Sequence, residues 1–284
     1  MAVMTTRRRI TRLRSEQVAE EGDDLTVEAP LNLIIGEELI ATLMRTPGHD
    51  LELAAGWLAV ESGVRSSADL VGLRQCRTED DLTLRAQDGL SGRGVDQVHL
   101  MIGPGVQPPR PRAWVTGAAC GVCSADVLDL SPLRRFTPHS PGWTIAAPVL
   151  QALPDSLRAQ QRTFSRTGSL HGVGLAGTDG ELLVVREDVG RHNAVDKVNG
   201  WAVLHDRVPL TDVLLVVSGR VSFEIVQKAV ATGLAGIVAV SAPSDLAVDL
   251  AREYDLLLAG MVRPGRMNIY AGADRVTDLE SLVS

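Results

Sequence analysis

The chain has 284 residues, 45% hydrophobic and 22% charged, with 28 basic against 35 acidic side chains and a formal net charge of -7. That length buries a substantial core in one large domain or two modest ones, and the acid excess argues against a general nucleic-acid binder. Three cysteines, an odd number, suit a reducing cytoplasm better than a secreted disulfide scaffold.

Residues 1–24 carry Arg7, Arg8, Arg9, Arg12 and Arg14, then the acidic run Glu16 to Asp24. No apolar run of seven or more residues follows, so neither a signal peptide nor a membrane span is expected. A basic run followed by an acidic one reads as a flexible, solvated tail. From Leu25 the chain organises. Residues 25–35 and 38–44 alternate around Gly36 as two strands joined by a tight turn. Thr46-Pro-Gly-His-Asp50 then opens a helix, with Asp50 placed to cap it or to meet its positive end. Residues 65–112 read as further strands ending in a Pro-rich loop. Residues 25–112 therefore form a smaller β-rich N-terminal domain with one helix. Residues 113–145 form a mobile loop and linker around Cys120-Gly-Val-Cys123.

Residues 146–284 differ in kind. Strands are expected at 181–185, 213–217, 236–240 and 256–258, and helices at 193–204, 222–232 and 244–253. In the first helix Ala194, Val195, Val198 and Ala202 share one side. This alternation is the mark of an α/β domain, a parallel or mixed sheet covered by helices. Ligands of such sheets bind outside the carboxyl ends of the strands. The loops expected there hold Arg186, Arg191, Ser218, Arg220, Arg263 and Arg266, several beside a helix start. Backbone N–H groups and arginines together favour a phosphate or pyrophosphate ligand. No GxGxxG or GxxxxGK[ST] motif is present, so neither a Rossmann nor a P-loop site is supported.

His171 lies in Thr167-Gly-Ser-Leu-His-Gly-Val-Gly174, among small residues that suit close approach of a ligand or another backbone. His192 and Asp188 read either as an acid/base pair or as a hydrogen-bond network at a helix start. The CxxC pair leaves several chemistries open. Zinc needs four ligands, and no second CxxC or HxxxH appears. The nucleobase deaminase pattern is half present, without His-x-Glu. A thioredoxin-type pair belongs near a first strand, not past residue 110. A persulfide relay needs exposure and mobility, which the flanking Gly and Ala residues supply.

The chain resembles the formate dehydrogenase accessory sulfurtransferases from about Leu25 to Ala271. The resemblance rests on Arg45-Thr-Pro-Gly-His-Asp-Leu-Glu-Leu-Ala54, Cys120-Gly-Val-Cys123, Thr167-Gly-Ser-Leu-His171, the run from Arg186 to Lys197, Ser218-Gly-Arg220 with Glu224, and Arg263-Pro-Gly-Arg-Met-Asn-Ile-Tyr270. It implies a fold similar to cytidine deaminases, in a cytoplasmic homodimer. It implies that sulfur from a cysteine desulfurase passes through the CxxC pair to a molybdenum bis(molybdopterin guanine dinucleotide) cofactor bound for apo formate dehydrogenase. Cys120 then looks like the persulfide carrier and Cys123 its partner. Met261, Val262, Arg263, Pro264, Gly265 and Arg266 look like part of the guanine dinucleotide site, with His171, Arg191, Ser218 and Arg220 at the same edge. No protein-held metal, nucleic acid or membrane is implied. A non-catalytic cofactor-binding chaperone is the alternative. The chain departs from the family pattern at Ser124, Ser169 and His49-Asp50.

Overall fold

The computed structural model describes residues 3–76, 95–109, 111, 115–116, 133 and 142–279. Its elements, in chain order, begin with strands β1 (Thr5–Arg14), β2 (Gln17–Thr26), β3 (Ala29–Ile35) and β4 (Glu38–Arg45), then helix α1 (Asp50–Glu61). Strands β5 (Leu70–Cys76), β6 (Asp96–Ile102), β7 (Val115–Thr116) and β8 (Ile145–Ala146) lead to α2 (Ala147–Gln160) and α3 (Arg162–Thr167). Next come β9 (His171–Gly177), β10 (Leu182–Asp188), α4 (Arg191–Leu204), β11 (Val213–Val217), α5 (Phe223–Ala231), β12 (Gly236–Ala239) and α6 (Asp245–Glu253). The series closes with β13 (Leu257–Arg263), β14 (Arg266–Ala271) and β15 (Val276–Thr277). The protein is a mixed α/β fold, as its alternating pattern predicts.

A six-stranded sheet runs in the order β10-β9-β11-β12-β13-β14. Strands β11, β12 and β13 are parallel, and β9, β10 and β14 make antiparallel pairs around them. In β11 all five residues, Val-Leu-Leu-Val-Val, are buried, as a strand covered on both faces requires. Its side chains alternate: Leu215 and Val217 join α4, α5 and α6 in one cluster, while Leu214 and Val216 join α2 in another. Ala194, Val195, Val198 and Ala202 of α4 all lie in the first cluster.

A five-stranded sheet, β5-β6-β3-β4-β7, stacks on α1. Helix α1 is apolar around most of its circumference, burying Leu53, Ala54, Ala55, Trp57, Leu58 and Ala59. A helix of that kind must be covered on several sides: one side takes the five-stranded sheet and another takes α4. The α1–α4 crossing is backbone on backbone. A Cβ added at Gly56 would sit 1.9 Å from the Asp196 carbonyl oxygen, and one at Gly200 would sit 1.7 Å from that of Glu52. Glycine is the one residue that fits either place.

Four expectations need correction. The expected flexible tail contains an antiparallel hairpin of two ten-residue strands, β1 with β2, running on to Thr26. Its two charge runs lie opposite each other, with Arg12 3.3 Å from Glu21 and 3.2 Å from Asp23. Arg166 of α3 holds its base through Asp24 at 2.8 Å. Strand β10 is an edge strand with a mixed burial pattern rather than a buried strand. The stretch around His171, expected as a loop that a ligand or another backbone approaches closely, forms β9, in which Gly172 makes room for the Gln161 side chain. The expected loop at 259–266 is instead the β13–β14 hairpin, turning at Pro264-Gly265 with Gly265 at φ +77°.

Candidate functional site

The two longest stretches singled out in the sequence, Arg45–Ala54 and Arg186–Lys197, meet at the junction of the two sheets. Arg45 and Lys197 are both fully buried. Arg45 donates to both carboxylate oxygens of Asp50 at 3.0 Å and to Asp96 at 2.6 Å. Burial opposes its charge, but these carboxylates prevail and raise its pKa. Lys197 Nζ lies 2.7 Å from Asp188 and donates to the Thr46 carbonyl at 2.9 Å. Asp188 also accepts from the N–H groups of Thr46 at 3.1 Å and Gly190 at 2.8 Å. Arg186 grips Glu52 through two bonds of 2.6 and 2.7 Å. These groups neutralise one another and tie α1 to the start of α4.

Three readings change accordingly. Asp50 takes the Arg45 guanidinium rather than capping α1, whose N-cap residue His49 makes no side-chain cap. Arg186 serves Glu52 and not an anion-binding edge. His192 does not pair with Asp188 either. Its Nε2 lies 3.0 Å from Glu224 and 3.1 Å from Ser222. Burial first, then the cations of Lys228 and Arg191, push the His192 pKa down to about 3. It is therefore a neutral imidazole whose Nε2–H serves these two acceptors.

The open site lies where the sheet argument puts it. A cleft of about 570 Å³ runs along the C-terminal edge of β11 and β12, walled by α2 and α3. Its lining includes Gly168, Ser169, His171, Ser218, Val240 and Arg263. That volume falls in the range of small-molecule sites. Ser218 Oγ accepts from the Gly172 N–H at 2.9 Å, locking the β9 and β11 ends together. Arg263 Nη1 donates to the Val240 and Val262 carbonyls, both at 2.7 Å. These bonds use one nitrogen of a five-donor group and hold the guanidinium at the cleft. His171 is partly buried beside Gly219, where an added Cβ would lie 3.3 Å from its Nδ1. Burial, then Arg191 and Arg220, lower its pKa against the pull of Asp188. Arg191 and Arg220 line a small recess next to His171 and Ser218. The edge is thus rich in positive charge and N–H donors, which favours an anionic ligand.

The remaining site residues fall differently. Met261 is 41% exposed in the left-handed region at φ +54°, whereas Val262 is fully buried in the α2-side core. Pro264, Gly265 and Arg266 are exposed at the hairpin turn. The Gly265 N–H donates to Gln151 Oε1 of α2 at 3.1 Å. Of the 261–266 segment, Arg263 lines the cleft. Cys120 and Cys123 lie outside the described residues. Cys76 is a half-buried thiol at the end of β5. Among the described residues no group of three or more His, Cys, Asp or Glu side chains could hold a metal ion, and no helix is long and apolar enough to cross a membrane.

Sequence reading missed one wall of the cleft. Asp155 and Arg158 of α2, Phe164 of α3 and Gln161 between the two helices all line it; the prolines of α2 and the polar residues of α3 mask their periodicity. Arg158 Cζ sits 4.5 Å from the Phe164 ring centroid.

The fold and cleft define an α/β protein with a basic, ligand-sized cleft at the carboxyl edge of its larger sheet. Residues 26–277 match the model of the FdhD/NarQ family. The chain belongs to the FdhD/NarQ family. It is 44% identical over 283 residues to the sulfur carrier protein FdhD of Mycobacterium tuberculosis, covering 98% of this chain and 100% of that one. It is 43% identical over 281 residues to the sulfur carrier protein FdhD of Streptomyces coelicolor, covering 97% of each. The crystal structure of a putative formate dehydrogenase accessory protein from Desulfotalea psychrophila shares the fold, with a TM-score of 0.73 at 21% identity over 96% of this chain and 100% of that one.

Proposed function

We propose that this chain is a sulfur carrier for formate dehydrogenase, acting on a bound molybdenum bis(molybdopterin guanine dinucleotide) as its cargo. Relatives at 43–44% identity along nearly the whole chain carry the sulfur-carrier name. The observation that carries the cofactor part is the cleft, where His171, Ser218 and Arg263 converge from the ends of three strands, β9, β11 and β13. In the sulfur step, the Cys120 thiolate attacks the outer sulfur of a desulfurase persulfide. The donor S–S bond breaks, the desulfurase thiolate leaves, and Cys120 holds the sulfur as its own persulfide. Cys123 is the neighbouring thiol that helps release it. Attack of the Cys123 thiolate on Cys120 Sγ breaks the persulfide bond, hands the outer sulfur to the cofactor at the sulfide level and leaves a Cys120–Cys123 disulfide, which a thiol reductant returns to two thiols. Arg263 and the edge N–H groups hold the phosphates, and neutral His171 donates or accepts one hydrogen bond without adding charge.

The strand order, an antiparallel β9–β10 pair beside parallel β11, β12 and β13, supports a sheet of the cytidine deaminase kind. A cytoplasmic homodimer working with a cysteine desulfurase and apo formate dehydrogenase completes the reading.

Intact-mass measurement after incubation with a desulfurase and cysteine tests the carrier step. The native chain gains one sulfur, removable by thiol, and Cys120→Ala gains none while keeping its fold. A Cys120→Ala chain that still matures formate dehydrogenase at the native level would sink the persulfide role. Guanosine diphosphate binding tests the cleft: Arg263→Glu weakens it at least about tenfold if one charge-assisted phosphate contact is lost.

A further inference from the structure

Helix α3 forms one wall of the cleft, lined by Phe164 and, just past the end of the helix, by Gly168 and Ser169. It has six residues and buries none of them. A helix that short does not hold itself together in water, and without buried side chains no core packing fixes its place. Its position rests on polar ties at its two ends. At the first turn the N–H groups of Thr163 and Phe164 donate to Glu187 at 2.9 and 2.7 Å.

The ties at the other end come from the β1–β2 hairpin. Arg166 Nη2 donates to Asp24 at 2.8 Å and to Thr5 Oγ1 at 3.3 Å. The bond from Arg166 holds the Asp24 carboxyl below its ordinary pKa. Beside it, Thr26 Oγ1 donates to Thr167 Oγ1 at 3.1 Å, and Thr167 Oγ1 donates to the Thr163 carbonyl at 3.0 Å. Ser169 Oγ lies 2.6 Å from Thr26 Oγ1. A hydroxyl has one hydrogen to give, so Thr26, committed to Thr167, accepts from Ser169. The bonds then run in one direction, from Ser169 through Thr26 and Thr167 to the backbone of α3. Ser169 is a position at which the chain departs from the family pattern, and this is the contact its hydroxyl makes. The family match begins at residue 26, so all of the hairpin but its final residue lies ahead of the matched segment.

We propose that the N-terminal hairpin is a clamp on the cleft wall, with Asp24 and Thr26 as positioning residues that hold α3, and with it the Gly168-Ser169 rim, where a ligand is bound. The effect on ligand affinity rests on the nucleotide reading above; the effect on α3 does not.

Amide hydrogen exchange on the full chain tests the clamp, with calorimetric titration of guanosine diphosphate beside it. Thr26→Val removes the hydroxyl and keeps the β-branched shape, and Asp24→Asn removes the charge facing Arg166. The reporters are the N–H groups of Ser165 and Gly168, which donate to the Gln161 and Phe164 carbonyls at 3.1 and 2.7 Å. They should exchange about fivefold faster in Thr26→Val, the loss expected for one hydrogen bond, and about twofold faster in Asp24→Asn, while β11 keeps its native rate. Guanosine diphosphate should bind more weakly by the same factors. Thr26→Ser keeps the hydroxyl and should show native values in both measurements. Native exchange of α3 in both variants overturns the proposal, as does faster exchange shared equally by β11, which would mark a general loss of stability. Faster α3 exchange with unchanged guanosine diphosphate affinity overturns the link to the cleft. A native chain that binds no guanosine diphosphate overturns the nucleotide reading, and the exchange rates then decide the clamp by themselves.

Discussion

His192 shows how far one side chain's role depends on its neighbours. It stands beside Arg191 at the start of α4, in a segment whose charge density suggests an acid/base pair with Asp188. Asp188 is instead committed to Lys197 at 2.7 Å, and His192 turns to Glu224 and Ser222. Its depressed pKa makes a signed prediction. Below about pH 6.5 the unfolded chain binds a proton on this ring that the folded chain refuses, so its contribution to stability falls as pH falls. His192→Gln keeps a donor for Glu224 and removes that proton. Urea unfolding between pH 7 and 5 should then show a shallower decline, by up to about 1.4 kcal/mol per pH unit. An unchanged slope would mean that the imidazole titrates normally.

Helices and strands were legible where apolar periodicity set them. Strands β11 and β12, and helices α4, α5 and α6, fall within a residue or two of their expected places. The elements that were misread are held by something other than periodicity. Hairpin β1–β2 has few buried side chains and stands on cross-strand charge pairs and the Arg166–Asp24 bridge. Raising the salt concentration should therefore loosen it first, seen as faster amide exchange at residues 5–14 than in β11. Helix α2 contains Pro154, which reads locally as a break. The α1–α4 crossing gives the sharpest prediction at this scale. In an isolated helix Gly→Ala gains about 1 kcal/mol. Here a Cβ at Gly56 would meet a carbonyl oxygen at 1.9 Å, far inside contact distance, so the helices must separate. Gly56→Ala and Gly200→Ala should each lose at least about 3 kcal/mol in denaturant titration. A stabilised variant at either position would refute the close crossing.

At the scale of the whole molecule, the buried ion network joins the two sheets. It takes up Arg186, Asp188 and Lys197 of the long run from Arg186 to Lys197, while Arg191 of the same run lines the recess beside His171. Lys197→Met leaves Asp188 buried without its cation, which should cost about 3–5 kcal/mol, with the loss shared by probes on both sheets because the network bridges them. Loss confined to one sheet would show the junction to be weaker than its geometry. The amino-acid pattern alone was enough for the α/β class and the family resemblance, because apolar runs, helix starts and glycine turns are local physics. It could not separate charges that bind a ligand from charges that bind each other. Arg186 and Arg263 look alike in one dimension. Packing sets one against Glu52 and the other at an open cleft, and it brings Asp155, Arg158 and Phe164 to line that cleft. Which charges are left for function is a property of pairing in space, and pairing across more than a hundred residues of chain exists only once the sheets have closed around α1 and α4.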